Sequence, residues 1–99
     1  MSRLDVLENQ DEFTIRVRTN SPVQQVANSI RVAIFEEHKM PIIRAVGAGA
    51  VAQACKGIAI ARGLVATQGF DLGCNIGFVN IIGEGGEEIT AQTFHLFVR

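Results

Sequence analysis

The fold predicted for this chain depends most on residues 42–66, IIRAVGAGAVAQACKGIAIARGLVA. Residues 42–46 are almost entirely apolar, which is typical of a central strand that is covered on both faces. Gly47-Ala48-Gly49 then turns the chain into residues 50–64, which are rich in alanine, contain no proline and predict a helix. Because this helix is apolar almost all round, we expect it to be buried on more than one side, partly against a second subunit.

The segment before this unit predicts a strand followed by a helix. Residues 13–18, FTIRVR, alternate between apolar and polar side chains, so we expect a half-buried strand with its arginines pointing outward. Ser21-Pro22-Val23-Gln24 has the pattern of a helix start, with Ser21 as the cap and Gln24 completing a capping box. Pro41 should end the segment, because the residue before a proline disfavours helix.

The segment after the second helix predicts a β-hairpin. Residues 70–78 alternate like a strand, and the alternation breaks at Phe78-Val79, where we expect a bulge. Residues 83–86, GEGG, predict the turn, and residues 89–98 the last strand. The whole chain therefore reads as a small α/β domain of the two-layer α+β type, with the order β-α-β-α-β-β.

Length and composition favour one small domain that works inside the cell. The chain has 99 residues, 47% of them hydrophobic, and a net charge of −1, which argues against disorder. No apolar run is long enough to span a bilayer, and the first twelve residues do not resemble a signal peptide, so we expect a cytoplasmic protein. Cys55 and Cys74 lie in apolar segments, and we interpret both as buried, reduced thiols.

The sequence offers no catalytic or metal-binding constellation. His38 lies beside charged residues at a helix end, and His95 lies in the last strand on the face opposite Phe94 and Leu96. Neither histidine has a metal-ligand spacing to a cysteine or a carboxylate. We therefore predict that the protein is not an enzyme and holds no metal or cofactor.

Residues 47–52, GAGAVA, fit the dinucleotide-binding pattern G-x-G-x-x-G/A between a strand and a helix. The acidic residue expected to close the next strand is missing, because Asp71 opens that strand instead. The alternative is a tight turn whose glycines let helix and strand pack closely. In a third reading, the free amides of Gly49 and Ala50 hold a phosphate group.

Basic residues are concentrated in the body of the chain, whereas both ends are acidic. Together with the polar loop Thr19-Asn20-Ser21, they could form a shallow phosphate-binding face. The chain has six Phe but no Trp or Tyr, so stacking on bases is not expected. The candidate nucleic-acid-binding residues are Arg16, Arg18, Asn20, Ser21, Arg44, Gly47, Gly49 and Lys56.

Residues 42–66 closely resemble the stage V sporulation protein S family, most strongly in Ala45 to Ala50, in Gln53-Ala54 with Lys56, and in Ile60 to Gly63. The resemblance continues more loosely over residues 13–99. That family is similar in turn to Alba, the archaeal nucleic-acid-binding proteins. The resemblance implies an Alba-like domain at 13–99, with two helices packed on a four-stranded mixed sheet, a dimer, and a role in sporulation or development. Residues 1–12 are then an N-terminal extension that can be flexible.

The resemblance to Alba departs at three places that Alba uses to bind DNA. The loop at residues 19–21 has no lysine, the turn before the second helix has Gly47 and Gly49 instead of an arginine, and the hairpin carries Glu84, Glu87 and Glu88. Three hypotheses stay open: a regulator that binds nucleic acid weakly and without sequence preference, a protein–protein interaction domain on the same fold, and a small-nucleotide binder at residues 47–52.

Overall fold

The computed structural model describes residues 13–99, in which strands and helices follow in the predicted order β-α-β-α-β-β. The α+β fold class is confirmed. The predicted N-terminal extension, residues 1–12, lies outside the described residues. The elements are β1 (Thr14–Val17), α1 (Val23–Phe35), β2 (Ile42–Ala45), α2 (Ala48–Ala66), β3 (Leu72–Ile82) and β4 (Glu88–Val98).

The strands form one mixed sheet in the order β1-β2-β4-β3. β1 runs parallel to β2, whereas β4 is antiparallel to both of its neighbours. The near-continuous apolar character of β2 correctly indicated its central position, but the expected cover on both faces is wrong, because Ile42 and Arg44 are only half-buried. In this register Arg16 lies beside Arg44, and Ile43 lies beside Phe94.

Both helices pack on one face of the sheet, and the core lies between the two layers. Alternate strand residues such as Val17, Ile43 and Phe94 join α1 and α2 in one buried cluster, in which Ile30 and Ile43 are completely buried. The residues between them therefore point to the other face, which no helix covers within residues 13–99. We call this the open face; it carries Thr14, Arg16, Ile42, Arg44, Thr93 and His95.

The start of α1 differs from the prediction. The N-cap position is Pro22, and no side chain within residues 13–99 caps the helix. The hydroxyl of Ser21 instead accepts a hydrogen bond from the backbone N–H of Arg18 at 2.8 Å. Ser21 therefore closes the turn after β1, because its side chain finds a nearer donor there than in the helix.

The helix α2 is buried along one side only in this chain, so the prediction of burial on more than one side is wrong for the single chain. Its buried line is Ala50, Ala54, Gly57, Ala61 and Val65, and Gly57 admits α1 so closely that an added Cβ would lie 2.7 Å from the Cβ of Val26.

The predicted burial of Cys55 is also wrong, because its side chain lies on the outer side of α2. Cys74 is half-buried on β3, and burial raises the pKa of its thiol. Among residues 13–99, no helix is both long and apolar enough to cross a membrane.

The strands β3 and β4 pair without a break over their whole length, from Leu72 beside Val98 to Ile82 beside Glu88. The bulge expected at Phe78-Val79 is therefore absent, and the two residues simply occupy opposite faces of a regular strand. Only Gln92–His95 of β4 also pair with β2. Residues 79–91 therefore project beyond the rest of the sheet as a two-stranded hairpin, which we call the hairpin arm.

Candidate nucleic-acid interface

A groove lies where the parallel strands β1 and β2 end and the hairpin arm begins to project. Its volume is about 620 Å³. In open sheets, ligands commonly bind outside the carboxyl ends of parallel strands, which is the position of this groove. We call it the arginine groove; its lining is Arg16, Val17, Arg18, Thr19, Arg44, Val46, Ile81 and Ile82.

The strand register brings the arginines of this groove together. Arg16 and Arg44 are paired positions on neighbouring parallel strands, so their backbones are only about 4.8 Å apart and both side chains leave the same face. Arg18 follows one residue after the end of β1 and lines the same groove. Like charges placed side by side on a sheet repel each other, so this arrangement favours an anion between them.

The described part of the chain does not supply that anion. In residues 13–99 the side-chain ion pairs join Arg31 to Glu36, and Arg62 and Arg99 to Asp71. Arg16, Arg18 and Arg44 have no carboxylate within 4 Å among these residues. The arginine groove is therefore a site of uncompensated positive charge within residues 13–99.

The loop between β1 and α1 is fixed against α2. The amide of Gln53 donates a hydrogen bond to the backbone carbonyl of Ser21 at 2.8 Å, and the backbone N–H of Ser21 donates to the carbonyl of Arg18 at 3.0 Å. Asn20 is exposed at the tip of this turn. The loop thus holds Arg18 and Thr19 at the groove, while the Ser21 hydroxyl is already used within the turn.

The glycine turn before α2 is explained by packing. Gly47 has a φ of 88°, a conformation that favours glycine, and an added Cβ at Gly49 would lie 2.8 Å from the methyl group of Thr19. The space beside Gly49 is thus filled by protein, and residues 47–52 do not line the groove. These contacts support the close-packing interpretation of the GAGAVA segment over a dinucleotide cradle.

The structure separates Lys56 from the other predicted basic residues. Lys56 is exposed on α2, in the helix layer, whereas Arg16 and Arg44 lie on the open face on the other side of the sheet. It does not line the groove. The structure therefore groups three of the candidate cationic side chains and leaves Lys56 apart.

The sequence interpretation missed the apolar wall of the groove, which consists of Val46, Ile81 and Ile82. The side chain of Ile82 is 72% exposed, an unusual setting for isoleucine. A signal was present, since two consecutive isoleucines precede the turn glycine where an amphipathic strand would alternate. Their place at the groove depends on where the hairpin arm projects relative to β1 and β2, which no local pattern reveals.

The tip of the hairpin arm is acidic, as the sequence indicated. Glu84, Glu87 and Glu88 are all exposed. The carboxylate of Glu87 lies against Gly83 and Gly85, where an added Cβ would overlap it. This tip presents negative charge next to the strand residues that line the arginine groove, and it would repel a phosphate backbone.

The histidines remain apart from each other and from the groove. His38 is exposed after α1 with a φ of 56°, and His95 is exposed on the open face. Within residues 13–99, no three side chains among His, Cys, Asp and Glu come together in a way that could hold a metal ion.

One solved structure that resembles this chain is Alba from Thermoplasma volcanium. The TM-score is 0.55 and the sequence identity is 19%, and the match covers 84% of this chain and 96% of that chain. A likeness at this level of identity shows the Alba-like fold alone. The family model of stage V sporulation protein S matches residues 13–99, so the chain belongs to the stage V sporulation protein S family.

Proposed function

We propose that this chain is a non-enzymatic regulator of sporulation or development that binds the phosphate backbone of nucleic acid weakly and without sequence preference. Membership of the stage V sporulation protein S family supports the developmental role. The arginine groove supports the nucleic-acid role, and it is the single observation that carries this part of the proposal.

The chemistry of the groove suits phosphate. Each guanidinium group presents N–H donors in a planar fork that can bind two oxygens of one phosphate. Arg16, Arg18 and Arg44 together can contact successive phosphates of a strand that runs along the groove. The wall formed by Val46, Ile81 and Ile82 offers apolar contact to sugars and bases but no hydrogen-bonding side chain.

This composition predicts binding that does not depend on sequence. Bases are read by hydrogen bonds to their edges, whereas phosphate contacts position a strand without identifying it. The lining contains no aromatic side chain on which a base could stack. The acidic tip of the hairpin arm also disfavours its insertion into the groove of a duplex.

The test is a fluorescence-anisotropy titration with duplex DNA, single-stranded DNA and structured RNA at low and high salt. We expect Arg16→Ala/Arg44→Ala to abolish most of the binding for every sequence alike. The matched control is Arg31→Ala/Arg62→Ala, which removes the same charge from arginines that already have carboxylate partners. Lys56→Ala should weaken binding less than Arg44→Ala, because Lys56 lies outside the groove.

The other open hypotheses predict different outcomes of the same titration. Equal loss in the groove and control variants would show that only net charge matters, and it would contradict the groove as the site. An absence of binding at low salt would favour the protein–protein interaction domain. A nucleotide that raises the melting temperature through residues 47–52, and loses this effect in Gly47→Ala, would favour the small-nucleotide binder.

We propose also that the protein acts as a homodimer. Ile76 and Phe78 are 69% and 70% exposed on the helix side of β3, the strand at the opposite edge of the sheet from β1. The outer side of α2 adds the small exposed side chains of Ala52, Cys55 and Ala59. Exposed apolar surface of this kind usually marks an interface, and a second copy would cover it.

Light scattering tests the dimer. Ile76→Lys/Phe78→Lys should give a monomer of 10.7 kDa, whereas Val79→Lys, on the other face of the same strand, should leave the dimer intact. A wild-type protein that is monomeric at micromolar concentration would refute this part of the proposal.

A further inference from the structure

The arginine groove has an unusual charge balance for a surface that is free of ligand. Arg16 and Arg44 are direct neighbours on β1 and β2, and Arg18 follows one residue after the end of β1. None of the three has an ion-pair partner within residues 13–99. An anionic group that is always present in the protein would therefore be attracted to this groove even without nucleic acid.

The chain carries such a group directly before β1. Residues 1–12 contain Arg3 against Asp5, Glu8, Asp11 and Glu12, so one positive and four negative charges give a net charge of −3. The described domain is correspondingly more basic than the whole chain. In the sequence, the acidic segment and Phe13 lead directly into β1, which carries Arg16 and ends one residue before Arg18.

The segment is long enough to reach the groove. The carbonyl of Phe13 accepts a hydrogen bond from the backbone N–H of Ile42 at 2.9 Å, which fixes the chain at the start of β1. Arg16 lies three residues further on, or about 10 Å along the strand, whereas Glu8 can reach about 17 Å from Phe13 in extended backbone. A segment that turns back on itself can thus place Glu8 and Asp5 at the arginines.

Two further features favour the N-terminal segment over the other acidic groups of the chain. β1 is an edge strand, so its outer side has no strand beside it within residues 13–99. The hairpin carboxylates belong to a short turn closed by the hydrogen bond from Gly83 N–H to the carbonyl of Glu87, at 2.8 Å. That turn gives them no length of chain with which to reach into the groove.

We propose that the acidic N-terminal segment, residues 1–12, occupies the arginine groove and competes there with the phosphate backbone of nucleic acid. Its carboxylates stand in for phosphates on Arg16, Arg18 and Arg44. Because the segment is tethered, its effective concentration at the groove is in the millimolar range, enough to compete with a weak ligand. The competition rests on the proposed function, whereas the docking of the segment does not.

The docking is tested by NMR on the side-chain Nε–H signals of the arginines, without nucleic acid. Asp5→Asn/Glu8→Gln should shift the signals of Arg16 and Arg44, and high salt should shift the wild-type signals in the same direction. The matched control is Glu36→Gln/Glu37→Gln, which removes two charges at the far end of α1 and should leave these signals unchanged. Signals that are identical in wild type and in Asp5→Asn/Glu8→Gln would overturn the proposal.

The competition is tested with a fluorescent single-stranded thymidine oligonucleotide. If the segment covers the groove in three molecules out of four, removing residues 1–12 should tighten the apparent affinity about fourfold, since the affinity scales with the open fraction. The segment added as a separate peptide should reverse that gain. Equal affinities with and without residues 1–12 would refute the competition.

The two failures can be told apart. If no variant binds the oligonucleotide but the Nε–H signals still respond to the tail charges, the docking stands and the proposed nucleic-acid function fails. If every variant binds equally and the signals do not respond, the nucleic-acid function stands and the docking fails.

Discussion

At one edge of the sheet, β1 alternates between polar residues (Thr14 and Arg16) and apolar residues, whereas at the other edge β3 exposes apolar side chains on both of its faces. The β1 edge leads into the arginine groove, and the β3 edge carries Ile76 and Phe78. The two surfaces share one core but differ in the physics of their contacts. Attraction between charges falls as salt is added, whereas the burial of apolar area does not depend on the neutralisation of charge.

This difference separates what each surface can recognise. Arginines on a strand bind any chain with regularly spaced negative charges, so their partner is defined by charge rather than by shape. Apolar side chains on an edge strand need a partner that fits them closely, and a second copy of the same surface meets that need by symmetry. Four measurements test this difference between the two edges.

A change in the shared core should destroy both surfaces together. Ile30 is completely buried between the layers, so Ile30→Ala should lower the free energy of unfolding by about 2–5 kcal/mol. That is a large part of the roughly 5–15 kcal/mol that stabilises a typical domain. Urea unfolding measures the loss, with the exposed Ile82→Ala as a control that should change stability by less than about 0.5 kcal/mol. Equal unfolding free energies for Ile30→Ala and wild type would show that the helix–sheet packing is misassigned.

Added salt should weaken nucleic-acid binding at the arginine groove but leave the dimer contact at β3 unchanged, without any mutation. If three arginines each neutralise one phosphate, raising the salt from about 50 to about 200 mM should weaken nucleic-acid binding about 20- to 40-fold. The mass measured by light scattering should stay at that of the dimer over the same range. Binding that ignores salt would contradict phosphate contacts, and a dimer that dissociates in salt would contradict an apolar interface.

The loop beside the arginine groove packs closely on α2, where the methyl group of Thr19 leaves no room for a side chain at position 49. Gly49→Ala places a Cβ within 3 Å of Thr19 and should cost about 1–3 kcal/mol in the free energy of unfolding. The double variant Gly49→Ala/Thr19→Ala should recover most of the loss, because the crowding atoms are gone. Gly63→Ala is the control, since an added Cβ there meets nothing within 4 Å and alanine favours helix. If the double variant does not regain stability, the requirement for Gly49 does not come from its close packing against Thr19.

The smallest effect concerns Asp71, which lies between Arg62 and Arg99. The hydrogen bond from Arg99, together with Arg62, holds the pKa of the Asp71 carboxyl below its usual range, although partial burial opposes this. A lowered pKa in the folded state stabilises the protein at neutral pH. That stabilisation is lost as the pH falls from the usual carboxyl pKa of about 3.9 through the lower folded value.

In the variant Asp71→Asn, the free energy of unfolding should therefore fall less between neutral and acid pH than it does in wild type. Urea unfolding at neutral and acid pH compares the variant with wild type. If the unfolding free energy changes by the same amount between the two pH values in the variant and in wild type, these exposed arginines do not stabilise the carboxylate. The arginine groove should not change, because Asp71 directly precedes β3, at the opposite edge of the sheet from β1.

The order of elements could be predicted because each segment carries its own periodicity. Residues 13–18 alternate and contain β1 (Thr14–Val17), the alanine-rich segment forms α2, and the glycine-rich segment 83–86 turns the hairpin. These patterns are local, since they depend on which side of one strand or helix faces the core. They are therefore readable from a single chain.

The predictions of local structure were wrong where one sequence pattern is compatible with two different local structures. Ser21 fits a helix cap by pattern, yet its hydroxyl bonds to Arg18 because the turn after β1 brings that donor nearer. Phe78-Val79 breaks the alternation without a bulge, because β3 exposes apolar groups on both faces. In both places the sequence pattern is present, but the local structure predicted from it is wrong.

The candidate site was only partly predictable, because it is assembled by register. Strand alternation predicts that Arg16 is exposed, but the half-buried Arg44 lies beside it only because β1 and β2 pair in parallel. Ile81 and Ile82 line the groove together with residues of β1 and β2 that are distant in the sequence. Lys56 has the right chemistry, but the helix that carries it lies on the other side of the sheet.

The contact between Gly57 and Val26 has a consequence for how such a sequence can change. The two helices approach so closely there that position 57 has no room for a methyl group while position 26 keeps its valine. A larger residue at 57 becomes acceptable only if position 26 shrinks at the same time, because the sum of the two volumes is fixed by the helix spacing. In an alignment of related chains, these two positions should therefore covary, and the distance between the helices would be recorded as a correlated pair of substitutions.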